Sequence, residues 1–252
     1  MVAIAPTQTD IFYPSGDGEP VAETFAHFYA ILAIFEVLSQ YLQGRQATVL
    51  ANQFFYYAPG FPKLRVAPDI MVIFGVKPGG RDNFKAWEEG EVPAVVFEVT
   101  SAGTRQKDFE EKKTLYENLG VSEYWLFDPR GEWIEEKLRG FRLCEETYEL
   151  ISEDRSKPLN LRLVVEGELL TFYREDTGQK LLLPAELAAA LQQTELQRQQ
   201  EAEARQQAEL QRQQEAEARQ LGELQRQRET EARRAAEALV DRYRAKFGDL
   251  DD

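Results

Sequence analysis

Two short apolar runs constrain the fold of this chain more than anything else in it. Ile70-Met71-Val72-Ile73-Phe74 follows Pro68-Asp69, and Ala94-Val95-Val96-Phe97-Glu98-Val99 carries Glu98 inside it. Runs this short and this rich in β-branched residues read as strands covered on both faces. An ionised carboxylate on such a strand is expensive unless something partners it, and a metal ion is one such partner. Two core strands with one carboxylate each, and basic residues soon after the second, predict a divalent-metal hydrolase.

The remaining pattern predicts a mixed α/β domain. Residues 1–20 are rich in Pro, Gly, Ser, Thr and Asp and are expected to form a flexible leader. Phe25, Phe28, Leu32, Phe35 and Leu38 recur at spacings of three and four, which predicts a helix from Val21 to Gln43 stopped by Gly44. Strands are expected at 48–51, 53–57 and 69–74, and a long polar loop over 77–93. After Glu98 a helix capped by Ser101 or Thr104 should run to Gly120. Glu123–Pro129 reads as another buried strand, followed by strands at 133–137, 139–144, 147–151 and 161–173. Helix, strands, helix, strands is the order of a mixed sheet flanked by helices, here over residues 21–184.

After Pro184 the composition changes abruptly. The segment 194–207 recurs almost unchanged at 208–221 and, more altered, at 222–235. A period of 14 is two heptads, so residues 185–252 are expected to form one long helical tail. Glu201 with Arg205, Glu215 with Arg219, and Glu229 with Arg233 stand in the favourable i,i+4 order. Leu196, Leu210 and Leu224 recur only once per two heptads, so a solvated single helix and a coiled coil both fit. Ala236, Leu239, Val240, Tyr243 and Phe247 form a final apolar stripe that should dock on the body or on a second copy.

Charge and cysteine content narrow the functional classes. The net charge is −14. Residues 185–252 hold 15 acidic and 11 basic side chains, leaving 29 and 19, hence −10, for the rest. An acidic body is not what a strong nucleic-acid binder presents, which counts against a DNA-directed function unless a local basic patch supplies the contacts. One cysteine, Cys144, excludes an internal disulfide framework and fits a cytoplasmic protein. No window approaches the roughly 20 apolar residues of a membrane helix. With a single histidine, His27, far from Cys144, zinc and Cys–His chemistry lack support, and His27 reads as a core residue. The Lys77-Pro78-Gly79-Gly80-Arg81 run lacks the phosphate-loop pattern and reads as a turn.

Phosphodiester hydrolysis with Mg²⁺ needs hard oxygen ligands, an activated water and positive charge near the phosphate. Asp69 and Glu98 can supply the ligands, and Lys112 the charge. Asp108, Lys112 and Tyr116 fall at i, i+4 and i+8 on the helix after Glu98, so they share a face. The alternatives are a turn cap for Asp69, a structural ion pair for Glu98, an exposed Asp108–Lys112 pair and a core tyrosine at 116.

Together, Pro68-Asp69, the strand Val96–Ser101, the run Asp108-x3-Lys112-x3-Tyr116, and Gly120-Val121-x-Glu123-Tyr124-Trp125-x2-Asp128-Pro129 resemble the Uma-two family. These are bacterial restriction-endonuclease-like domains within the PD-(D/E)XK nuclease superfamily. The resemblance covers about residues 21–183 and leaves out the tail. It implies a mixed sheet with flanking helices, a Mg²⁺ (or Mn²⁺) site on Asp69 and Glu98, and cleavage of DNA by activated water. In the superfamily pattern a lysine stands two residues after the glutamate. Here that residue is Thr100, and Lys112 is the best replacement, ahead of Lys107 and Lys113. The resemblance also implies a polar residue from the first helix or early strands, for which Glu36 and Gln53 stand as candidates.

The expected function is therefore a Mg²⁺-dependent DNA endonuclease. The competing expectation is an inactive nuclease fold that works as an interaction or oligomerisation module through its tail. A third keeps the metal site and takes RNA or nucleotides as substrate.

Overall fold

The computed structural model describes residues 11–18, 24–101 and 107–247. Asp108 and Lys107, the latter one of the weaker lysine candidates, have side chains outside the described residues, as does the predicted cap at Thr104. The chain divides into residues 1–187 and residues 188–252.

The first helix, α1 (Phe25–Tyr41), starts where Thr24 Oγ1 accepts the His27 amide hydrogen bond at 3.3 Å, and Gly44 follows it in the left-handed region. It buries Ala26, Ala30, Ile34, Val37 and Leu38, whereas Phe25 and Phe28 are 78% and 55% exposed. Phe25 and Phe28 thus lie off the buried face, which is built largely of small alanines and aliphatic residues, while Phe35 packs partly buried against the core.

β1 (Ala47–Ala51), β2 (Phe55–Tyr56), β3 (Arg65–Val66) and β4 (Ile70–Phe74) follow. The segment 77–93 is not purely a loop: it contains β5 (Phe84–Lys85) and a short helix, α2 (Ala86–Glu89). β5 pairs with β2, whose other neighbour is β3. Arg81 is held there by Glu89 and by the carbonyls of Lys77 and Gly79, so the loop cation is occupied internally.

Next come β6 (Val95–Val99), a π-helical segment (Lys107–Lys112), α3 (Lys113–Asn118) and β7 (Glu123–Phe127). The single α-helix expected before Gly120 is therefore corrected to a π-helical turn leading into a short α-helix. β8 (Leu138–Cys144), β9 (Thr147–Ile151), β10 (Arg155–Ser156), β11 (Leu161–Glu166) and β12 (Leu169–Arg174) complete the body. Residues 133–137, read above as a strand, form a turn instead. Asp128 accepts hydrogen bonds from the amides of Arg130, Gly131, Trp133 and Ile134, which curls the backbone away from strand pairing.

The central sheet has the order β1-β4-β6-β7-β8-β9. Only β6 and β7 run parallel, and all five residues of each are buried. Alternation splits each strand between two cores. Phe97, Val99, Trp125 and Phe127 face α1 and the β11–β12 hairpin, while Val96, Tyr124 and Leu126 face Tyr116 of α3. Gly140 of β8 lies opposite Trp125, and a Cβ there would come within 2.4 Å of the indole. A glycine is required by that close approach.

The described part of the leader, residues 11–18, makes contacts with the body. Tyr13 packs on Tyr56 and Trp87 at 5.0 and 5.2 Å, and the Tyr56 hydroxyl donates to the Pro14 carbonyl.

The last helix, α4 (Pro184–Phe247), has 64 residues, a length of about 96 Å at 1.5 Å per residue. Leu196, Leu210 and Leu224 are exposed on it. The three expected Glu–Arg pairs do not form; Arg233 bonds Glu237 at 2.9 Å instead. Exposed pairs of long side chains gain too little to select one partner.

Candidate active site

Because β4 runs antiparallel to β6, the start of β4 and the end of β6 share one edge of the sheet. The register pairs Ile70 with Phe97, and continuing it sets Asp69 opposite Glu98. β6 and β7 end at this edge too, and the C-terminal ends of parallel strands open a crevice in α/β sheets. Asp69 Oδ2 accepts the Val99 amide hydrogen bond at 2.7 Å, which ties the carboxylate to the neighbouring strand. No hydrogen bond reaches Asp69 Oδ1 from the described residues.

Glu98 is fully buried. Lys112 Nζ donates to its Oε2 at 2.7 Å, and the Tyr116 hydroxyl donates to its Oε1 at 2.7 Å. The Lys112 side chain is 20% exposed, so its ammonium stands between the buried carboxylate and solvent. Burial, followed by the charge of Glu98, holds the Tyr116 phenol well above its ordinary pKa, so it remains a neutral donor. The π-helical segment ends at Lys112, four residues before Tyr116, and the pair reaches Glu98 from one side. Lysine thus reaches the glutamate from the following helix, while residue 100 of the strand remains a threonine. Lys113 points elsewhere, with its ammonium 4.8 Å from the centre of the Phe141 ring.

Other expected site residues are less central. Glu36 is nine residues beyond His27 on α1, about 13 Å along the axis. Gln53 follows Asn52, whose amide donates to the Pro68 and Asp69 carbonyls, so it lies near the start of β4. Its Nε2 donates to the Arg81 carbonyl, and its buried Oε1 has no hydrogen-bond partner.

One residue set aside by sequence reasoning enters the site. His27 is buried on the first turn of α1, and its Nε2 lies 3.7 Å from Asp69 Oδ2. A lone histidine beside alanines on a helix resembles a core residue in sequence; only the packing of α1 against the strand ends brings it here. Asp128 and Glu123, both in the motif string, have structural partners. Asp128 is saturated by four backbone amides, and Glu123 is bound by Arg142, Trp125 and the Lys157 amide.

Residues 4–172 match the family model described as "Uma2: Putative restriction endonuclease", and the chain belongs to that family. Among solved structures it is similar to "a putative nuclease belonging to DUF820 from Anabaena variabilis ATCC 29413". The identity is 16%, the match covers 54% of this chain and 72% of that chain, and the TM-score is 0.40. No curated protein matches the chain. Among the described residues no helix is long and apolar enough to cross a membrane.

Proposed function

We propose that this protein is a Mg²⁺-dependent endonuclease acting on DNA, with Asp69 and Glu98 as metal ligands and Lys112 beside them. One observation carries the reading. Two carboxylates face each other across neighbouring strands at the crevice edge, where like charges are destabilising. Lys112 offsets the charge of Glu98, and a bound cation would offset the remaining repulsion between the pair.

The donor chemistry suits Mg²⁺. Among the described residues no group of three or more His, Cys, Asp and Glu side chains is set to hold a metal. Mg²⁺ is commonly held by one or two carboxylates together with substrate phosphate and water, without an all-protein cage. Asp69 Oδ1 has lone pairs to give, and the two Glu98 oxygens are hard acceptors beside it. When bound, the metal would lower the pKa of a water and polarise the phosphate. Lys112 offers charge to the phosphate, and Tyr116 locks the Glu98 rotamer from beneath.

The test is cleavage of labelled DNA by the full chain with Mg²⁺ or Mn²⁺, compared with Asp69→Ala and Glu98→Gln. Both variants should lose cleavage while retaining the circular dichroism of the wild type. Full activity in either would remove the site. Titration calorimetry of Mn²⁺ should likewise show binding lost in the Asp69→Ala/Glu98→Ala double variant.

A second reading concerns the tail. Leu239, Val240 and Tyr243 are 56%, 49% and 62% exposed on consecutive turns of α4, which favours self-association through that stripe. Light scattering of the full chain and of Leu239→Asp/Tyr243→Asp checks it; equal masses at the monomer value would discard it.

A further inference from the structure

We propose that the cavity beside Asp69 receives one unpaired base, so that the preferred substrate is a single strand recognised by stacking. This rests on the nuclease reading of the Asp69–Glu98 pair and adds the substrate class to it. The cavity has a volume of about 200 Å³ and lies between the first turn of α1, the end of β6 and the turn after β7. Ala26, His27, Thr100, Pro129, Arg130 and Trp133 are among its walls. His27 joins it to the site, since its Nε2 is 3.7 Å from Asp69 Oδ2.

Thr100 supplies the first sign of a ligand. It is among the walls of this cavity and only 5% exposed, and its Oγ1, closed off from solvent, has no hydrogen-bond partner among the described residues. Leaving a buried hydroxyl unsatisfied is costly, and native proteins rarely do so without cause. A nucleobase offers donors and acceptors along its edge and flat apolar faces, which suit a cavity walled by Thr100, Ala26, Pro129 and Trp133. A phosphate is less well served here. Asp128 spends both oxygens on backbone amides, and among the described lining residues the guanidinium is that of Arg130, half exposed and 3.8 Å from Glu132.

Charge and aromatic placement point the same way. The body carries −10 outside the tail, which opposes a grip on duplex phosphates. Stacking on aromatic side chains adds affinity for unpaired bases that does not itself come from phosphate contacts, and a paired duplex does not offer those faces. Trp133 is 37% exposed at the cavity, and Phe25 stacks on Tyr29 at 5.5 Å, both exposed on the same end of α1. These rings can carry the neighbouring bases of a strand whose central base enters the cavity.

The experiment is a fluorescence-anisotropy titration of the full chain, in chelator to prevent cleavage. Its probes are labelled oligothymidylate of about a dozen residues and the same strand annealed to its complement. The single strand should bind about tenfold more tightly than the duplex, and Trp133→Ala should weaken strand binding about tenfold. Trp133→Phe should restore most of that loss. Thr100→Val, which keeps the shape, should change the ratio of oligothymidylate to oligodeoxyadenylate affinity by about fivefold. Equal affinity for strand and duplex, or unchanged strand binding in Trp133→Ala, would overturn the proposal. So would a chain dimer broken by Phe25→Asp with strand affinity intact, since a second copy would then own the aromatic face. Cleavage is scored separately with Mg²⁺. Strand binding without cleavage keeps the base pocket and sinks the nuclease reading. Cleavage of strand and duplex alike, unchanged in Trp133→Ala, does the reverse.

Discussion

Glu98 and Glu123 are both fully buried carboxylates on the two parallel strands of the sheet, yet they are treated differently by their surroundings. Glu123 opens β7 and sits directly across from Arg142 of β8, with which it pairs at 2.9 Å. The Trp125 indole and the Lys157 amide complete its shell. Glu98 lies at the opposite end of the parallel pair, and continuing the strand register puts Asp69, another carboxylate, across from it. Its cation, Lys112, comes from the following helical segment and is partly open to solvent. An opposite charge across the ladder closes a structural site; a like charge across it is unfavourable, which is the ground for the cation proposed there. Burial alone does not separate the two, and the neighbour across the strand does.

The comparison can be broken in order of expected effect. Glu98→Gln should remove detectable cleavage while the protein stays folded, because glutamine keeps the shape and still accepts from Tyr116. Cleavage gels beside thermal melts check this, and retained cleavage would erase the contrast with Glu123. Glu123→Ala should do the opposite, destabilising by about 3–5 kcal/mol as Arg142 and the Trp125 N–H lose their partner. Urea unfolding measures it, and a loss below about 1 kcal/mol would show that the site is not a structural closure.

Gly140→Ala should cost about 1–3 kcal/mol, because its Cβ meets the Trp125 ring that donates to Glu123. Metal binding at the Glu98 end should stay as in the wild type, since that end lies across the sheet. Tyr116→Phe gives the smallest expected effect, about 1–2 kcal/mol of stability and a partial loss of cleavage. Its phenol stays protonated well into the alkaline range, held there by burial and the Glu98 charge. The shape of the pH–rate profile should therefore be the same in Tyr116→Phe and wild type; loss of an alkaline limb in the variant would assign titration to Tyr116.

The strands around Asp69 and Glu98, and the run Glu123–Phe127, were legible because core strands leave apolar runs that need no partner to be recognised. The i,i+4 spacing of Lys112 and Tyr116 also pointed correctly to one face. Asp128 was less legible, since a carboxylate followed by Pro129 reads as a strand end, whereas its four amide acceptances erase the strand expected at 133–137. α1 was read as a helix by its aromatic spacing, but alanines settled which face it buries. His27 looked like core filler until α1 met the strand ends.

The sequence by itself determined the main core strands and the first and last helices, which carboxylates lie among apolar residues, and that a 14-residue period continues as one long helix. Those are local properties, set by side-chain periodicity and backbone preference. Only the tertiary structure decided that Asp69 faces Glu98, that Arg142 faces Glu123, and that His27 and Thr100 share one cavity. Those relations depend on strand order and register, which bring together residues far apart in the chain and which no local pattern encodes.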